Sequence, residues 1–349
     1  MLLKNFWYAV EFSSAIAAKP VQIKLMDYNF ALYRDTQGQV VALKDQCAHR
    51  GAALSPGWVE DNCLRCPYHG WKYQSDGVCV EIPANQPGVP IPKRARVETY
   101  EVQEKYGYVW LFFGDLPAAE RPPIPDFPQF ADPKLRCVYG QYTWNAHYTR
   151  TFENTIDCSH TLFLHKRSIG VTNEARIEDF DVEMGEWGAK ATLDINIRRL
   201  RGVWSWISRN NPETQRTYQF FLPNITFIGL KFGSFQLDTF IAHVPVDETT
   251  TITKWAFLRN FLTLPLMDGS TRKMGIKLFQ EDGAVVKTQF PGPVPLDLQT
   301  ELLAASDATI LAYRKLLKKC QEQGWVIEPH PPMSVAENPA IKQLQELGS

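Results

Sequence analysis

The sequence predicts an α+β chain in two parts, an all-β N-terminal domain followed by a larger domain that mixes strands with helices. Three observations carry this. Residues 1 to about 115 run as short apolar segments punctuated by turn residues, residues 116–130 are rich in proline, and beyond 131 helix-period segments flank a strand-like stretch at 190–261.

In the first part, the runs 30–33 and 40–43 enclose Asp-Thr-Gln-Gly, with Gly38 near the turn end, which reads as a β-hairpin. Further strands are expected at 78–82 and 109–113. From Leu116 to Pro128 there are five prolines in thirteen residues, a stretch that extends neither a helix nor a central strand and suits an interdomain connection. Phe152 to His165 and Met274 to Lys287 read as helices. Glu301 to Gln323 reads as a longer one, with apolar residues at Leu302, Leu303, Ile310, Leu311 and Leu316.

The 349 residues are 44% hydrophobic and 21% charged, and 37 basic against 38 acidic side chains leave a net charge of -1. That balance speaks against a nucleic-acid or anionic-membrane partner. The longest apolar runs fall far short of the roughly 20 residues of a spanning helix, and the N-terminus lacks the marks of a secretory leader, so a cytoplasmic protein is expected. Seven cysteines, at 47, 63, 66, 79, 137, 158 and 320, are scattered outside one cluster, unlike a secreted disulfide framework.

That cluster holds the first constellation. Cys47-Ala-His49-Arg-Gly is echoed nineteen residues later by Cys66-Pro-Tyr-His69-Gly. Two loops each offer a thiolate and an imidazole, the donor set of a Rieske cluster, with two Cys on one iron and two His on the other. The glycines permit tight loops whose backbone can approach bridging sulfides. A tetrahedral zinc site is the competing reading, with Cys63 as a rival donor, although paired Cys-x-His and Cys-x-x-His-Gly loops are unusual for zinc.

On these motifs the chain resembles the Rieske family. Members serving respiratory or photosynthetic complexes carry a disulfide between the two loops; here its positions hold Ala52 and Tyr68. The resemblance therefore points to the lower-potential type found in ferredoxins and oxygenases.

The second constellation is Asn154-x-x-Asp157-x-x-His160-x-x-x-x-His165. Asp157 and His160 are three apart and would share a helix face. His165 lies about 140° further round a regular helix, so the helix must loosen or end between the histidines if both bind one metal. Two imidazoles and a carboxylate on one face of iron leave positions open for dioxygen. Taken alone, two histidines on an apolar helix are more often core residues. Behind a Rieske motif, the pattern is similar to that of the smaller Rieske non-haem iron oxygenase subunits, the group of dicamba monooxygenase, vanillate O-demethylase and toluenesulfonate monooxygenase. That resemblance implies catalytic roles for Asn154 and Asp157. The latter would not be a ligand but would link the iron site to a neighbouring Rieske centre.

For the third ligand, Phe279, Asp282 and Val286 follow helical spacing on one apolar face, where a charge needs a partner or a metal. A salt-bridged surface acid is the alternative. The run Glu281-Asp282 followed by Val285-Val286 is similar to the family's carboxylate-ligand helix, with Asp282 as the ligand. Glu281 lies well off the face, and its replacement is expected to be mild.

No Gly-x-Gly-x-x-Gly behind a strand and no all-Cys ferredoxin pattern is present, so electrons must come from a separate NAD(P)H-dependent reductase, with or without a ferredoxin. The resemblance implies a Rieske domain at 1–115, a connection at 116–130 and a catalytic domain at 131–349 in which an antiparallel sheet wraps a helix. It also implies one [2Fe-2S] cluster and one mononuclear Fe(II) per chain, and a homotrimer. The expected activity is that of a terminal monooxygenase hydroxylating or demethylating an apolar, aromatic or cyclic small molecule. The alternatives are a cis-dihydroxylating ring dioxygenase, whose subunits are usually longer, and an electron carrier, which would have no use for a triad. Trp144, Trp204, Trp206 and Phe220 are candidates for a substrate pocket.

Overall fold

The structure, a computed structural model, describes residues 1–17, 19–166, 168, 177, 179–195 and 214–328. Trp204 and Trp206 lie outside the described residues.

The N-terminal part is all β. Strands Tyr28–Arg34 and Val40–Lys44 pair antiparallel, and their turn closes through Asp35 N donating to Gln39 O, with Gly38 at a φ of 81°. Beside this hairpin, four short strands, Trp58–Glu60, Cys63–Arg65, Lys72–Tyr73 and Cys79–Glu81, form a separate sheet in that order. The cysteine-histidine loop at 66–70 joins two of its strands, and the loop at 47–51 lies on the path from the hairpin to its first strand. A third sheet joins Val102–Lys105, Tyr108–Phe113 and Phe6–Phe12.

The C-terminal part is a seven-stranded antiparallel sheet, ordered Arg136–Trp144, Thr251–Arg259, Phe235–Pro245, Ile225–Phe232, Thr214–Phe221, Gly188–Ile195 and Val182–Met184. Among the described residues the α-helices are α1 (Tyr148–Ile156), α2 (Thr161–Leu164), α3 (Asp268–Val286) and α4 (Ala308–Glu322). Strand side chains alternate between two faces. Phe240, Ala242, Ala256 and Leu258 pack on Ala9, Trp110 and Phe112 of the N-terminal part. Their neighbours Ile241, Trp255 and Phe257 pack against Phe279 of α3. Both faces of the strands Phe235–Pro245 and Thr251–Arg259 are thus buried along most of their length, and the two parts of the chain share a core. The proline-rich stretch is not a free tether: Phe127 is buried among Phe221, Phe227 and Phe240.

α1 is buried around most of its surface, charges included. Arg314 of α4 donates to both carboxylate oxygens of Glu153, at 2.7 and 3.0 Å, so the acid is paired where it is buried. The single helix expected over 152–165 does not form. α1 ends at Ile156, and Asp157 is extended, with ψ at 122°. The Asp157 carboxylate accepts from the Ser159 amide and hydroxyl, each at 2.7 Å, a local bond that competes with helix continuation. Asp157 and His160 therefore share no helix face. The break precedes His160, and the two histidines stand at either end of the four-residue α2.

The helix expected from Glu301 begins only at Ala308. Leu302 is fully exposed, the Asp307 carboxylate takes the Ala304 amide, and Thr309 Oγ1 donates to the terminal carbonyl of α1 at Ile156. The helix expected at 274–287 begins earlier, at Asp268. Its buried residues, Thr271, Gly275, Phe279, Asp282 and Val286, fall on one face. Gly275 lets that face lie close to the sheet, for a Cβ there would stand 2.6 Å from Phe257.

Candidate functional site

The loops at 47–51 and 66–70 are built alike. Cys47 N donates to Ala52 O as Cys66 N does to Trp71 O, and Gly51 N donates to Cys47 O as Gly70 N does to Cys66 O. Both glycines adopt left-handed backbone, φ 72° and 73°, which a residue with a Cβ takes only at a cost. Asp45 pins the first loop by accepting the amides of Leu54 and Ser55. The second is held by Arg65, which donates to Gly70 O.

The result is two donor pairs. The thiols of Cys47 and Cys66 are buried, and burial, with Cys47 close by, pushes the Cys66 thiol up while the backbone of Tyr68 and His69 works against that rise. The imidazoles of His49 and His69 are exposed, with their Nδ1 atoms 3.2 Å apart. A zinc ion needs its donors around one point, about 3.3–3.8 Å from one another for bond lengths of about 2.0–2.3 Å. No three of these four donors lie within 4.8 Å of one another among the described residues. A thiol pair beside an imidazole pair suits two irons bridged by sulfide, so the residues fit a [2Fe-2S] group. Two supports were not legible in the motif: Tyr73 OH lies 3.1 Å from Cys47 Sγ, and the Trp71 ring stacks on His49. Cys63 is buried, with its thiol donating to Asp61 O.

His160, His165 and Asp282 form one group whose ligand atoms all lie within 4.8 Å of one another. Asp282 Oδ1 stands 3.0 Å from His165 Nε2 and 3.6 Å from His160 Nε2, and it has no hydrogen-bond partner although buried. A buried carboxylate oxygen facing two imidazole nitrogens is incomplete without a cation, and the mixed nitrogen and oxygen donors fit ferrous iron. The convergence depends on His165, whose backbone (φ -92°, ψ 16°) has left the helix.

Each ring also has a carboxylate behind it. His160 Nδ1 is 3.4 Å from Asp157 Oδ2, and His165 Nδ1 is 2.9 Å from Glu281 Oε2. Burial would raise Asp157, but His160 and Ser159 hold its carboxyl below the ordinary value. Burial would lower His165, but Asp282 and Glu281 keep it above the usual imidazole range. Groups that favour a proton there would also favour a divalent cation. The contact to Glu281 corrects the expectation that this acid stands apart from the site.

The three groups open onto a cavity whose wall includes Ile228, Leu230, Leu237, Ile241, Phe257 and Leu278. Asn154 lines it too, with a buried Nδ2 that has no acceptor. Trp144 and Phe220 do not line it. Trp144 packs on Phe279 and Phe220 on Phe152 and Tyr313, both as core. Arg216, which belongs to neither sequence motif, is in the wall. Its signal was available: Thr214, Arg216, Tyr218 and Phe220 alternate on one strand, which sets the arginine on the same inward face as two aromatics.

Comparison with known proteins agrees with this division. Residues 6–101 match the model of the Rieske [2Fe-2S] domain, and residues 144–323 match that of the vanillate O-demethylase oxygenase C-terminal domain. The methylxanthine N1-demethylase of Pseudomonas putida is 30% identical over 335 residues, 92% of this chain and 90% of the relative. The crystal structure of dicamba monooxygenase bound to dicamba superposes with a TM-score of 0.79 at 25% identity, covering 92% of this chain and 98% of that one. The structure of Pseudomonas putida NdmA with caffeine gives 0.80 at 27% identity, covering 92% of each.

Proposed function

The chain belongs to the Rieske non-haem iron oxygenases, carrying one [2Fe-2S] cluster and one mononuclear iron, and from that premise we propose that it hydroxylates or demethylates a small aromatic or cyclic molecule at the cavity bordered by His160, His165 and Asp282. Cys47, Cys66, His49 and His69 hold the cluster. The observation that carries the reading is the convergence of both imidazole Nε2 atoms on the unpartnered Asp282 Oδ1 at an apolar cavity.

When bound, the ferrous centre activates dioxygen. The overall change inserts one oxygen atom into a C–H bond and releases the other as water, consuming two electrons and two protons. Oxygenation of a methyl group on oxygen or nitrogen gives a hydroxymethyl compound that sheds formaldehyde. The chain's own work is to bind and to exclude. The apolar wall desolvates the substrate ring, and Asn154 offers a free amide donor beside the centre. Asp157 and Glu281 fix the orientation of the two imidazoles.

The two electrons come from a separate NAD(P)H-dependent reductase, directly or through a ferredoxin. They enter at the exposed His49–His69 edge. We take the assembly to be a homotrimer in which Asp157 of one subunit lies between His160 and the neighbouring subunit's Rieske centre. The exposed His49 and His69 and the position of Asp157 behind His160 support that role. The domain limits we assign are 1–115, 116–130 and 131–349. Seven unpaired cysteines are consistent with the cytoplasm.

Product analysis with labelled dioxygen tests the reaction class, in the presence of a generic reductase and a panel of aromatic ethers and N-methyl compounds. One labelled atom in the alcohol or in formaldehyde is expected. Two in a cis-diol would establish the dioxygenase instead, and two irons per chain rather than three would leave only a carrier.

A further inference from the structure

Among the described residues, the buried lysine and arginine side chains have acids, with one exception. Arg150 pairs with Glu301, Arg259 with Asp268, Arg314 with Glu153, Lys72 with Asp61 and Lys254 with Glu11. Arg216 is 8% exposed and has no carboxylate partner among the described residues. Its Nη1 donates to Thr161 Oγ1 at 2.9 Å and to Tyr218 OH at 3.0 Å, both neutral, while Nε is buried without an acceptor. A guanidinium cannot shed its proton, so burial without a counter-charge is costly unless another group supplies one.

The place of that missing charge is set by the cavity. Arg216, Thr161 and Tyr218 all line it, together with the metal-facing His160 and Asp282. Thr161 follows His160 directly, so the guanidinium sits one residue from the metal group. Asn154 adds a second unpartnered donor to the same wall. The remainder is largely aliphatic and aromatic.

We propose that Arg216 is the substrate's anion anchor, and that the substrate is a small ring bearing a carboxylate or sulfonate which Arg216 neutralises while the apolar wall holds the ring. This deepens the oxygenase reading and rests on it. Planar guanidinium suits the two oxygens of such groups, and Tyr218 OH, which accepts from Arg216, keeps its own proton to donate. A neutral ring would leave the buried charge unanswered by any described side chain.

The test uses holoenzyme. The nitrosyl adduct of the mononuclear iron is recorded first by electron resonance, and its absence would overturn the oxygenase reading whatever follows. Benzoate and benzenesulfonate are then titrated at constant ionic strength against benzamide and benzenesulfonamide, with the nitrosyl signal and calorimetry as readouts. At least one anion should bind saturably and more tightly than its amide. Arg216→Met should weaken it about 10- to 100-fold, the scale of a charge-assisted bond, with the amides moving much less. Arg216→Lys should retain part of the affinity. If Arg216→Met does not fold, judged by its Rieske spectrum, the anion-over-amide preference of the unaltered protein decides. No saturable anion binding, equal binding of acid and amide, or anion binding unchanged in Arg216→Met would each defeat the anchor.

Discussion

His165 is gripped from both sides by neighbouring acids of one helix: Nδ1 lies 2.9 Å from Glu281 Oε2, and Nε2 lies 3.0 Å from Asp282 Oδ1. Consecutive residues on a helix diverge by about 100°, yet both reach the ring because it stands edge-on to α3. Ser168 Oγ donates to the other Glu281 oxygen and fixes that carboxylate in turn. Glu281→Gln keeps the size but weakens the charge-assisted contact. We expect it to lower iron affinity about 10- to 100-fold, the usual cost of losing a carboxylate behind a metal-bound histidine. Chelator competition monitored through the nitrosyl signal measures this. Affinity within twofold of the unaltered protein would restore the view that Glu281 is a bystander.

The two metal groups should be separable by single substitutions. Cys66→Ser is expected to abolish the Rieske absorption and its low-g resonance and to destabilise residues 45–75. His160→Ala should leave both intact while removing the third iron and all turnover, and Asp282→Asn should weaken iron binding and strongly reduce activity. Metal analysis with electron resonance on the same samples checks each. A folded, colourless protein holding one zinc would sink the cluster assignment.

Asp157→Asn tests electron delivery. Ser159 can still donate to the amide oxygen, so the local turn should survive and both metals should stay bound. Transfer to the mononuclear site should collapse, and a chemically reduced cluster should stay reduced when substrate and dioxygen are added. Rapid reoxidation coupled to product would assign Asp157 to structure alone, and a monomeric protein by light scattering would remove the trimer.

Acid should destabilise the fold through His243. It is fully buried between Thr151, Thr226 and Thr155, and burial pushes its pKa down to about 3. A histidine kept neutral in the folded state stabilises fully above its unfolded pKa near 6.5, and that contribution is lost as pH falls towards 3. The expected loss by pH 5 is about 2 kcal/mol from this residue. His243→Asn should lower stability at pH 7 and flatten its fall between pH 7 and 5, read by urea unfolding at each pH. An equally steep fall in the variant would exonerate His243.

The metal-facing groups were legible because their chemistry constrains spacing. Cys-x-His and Cys-x-x-His-Gly must sit on matched turns, and the paired bonds at Ala52 and Trp71 show why the two loops echo each other. Asp282 was legible as a charge in an apolar helical register. The break at Asp157 was not, since it comes from the Ser159 side-chain bond rather than from a Gly or Pro. The late start of α4 likewise depends on a tertiary tie, Thr309 to Ile156. Glu281 and Arg216 were missed for a shared reason. Their roles depend on partners about 116 and 55 residues away in sequence, His165 and Thr161.

The middle of the large sheet, clothed on both faces, limits how this protein can be cut and recombined. Its even-numbered residues Phe240, Ala242, Ala256 and Leu258 are roofed by Ala9, Trp110 and Phe112 from the first 115 residues. Severing the chain within the proline stretch would expose both halves of that greasy seam. Each fragment made alone should precipitate or stay bound to chaperones, whereas the two made together should reassemble. Grafting an electron-receiving module from a relative onto this catalytic body is then a problem of matching a roof to its rafters. The Phe6–Phe12 and Tyr108–Phe113 strands would have to travel with the module or be redesigned to this sheet.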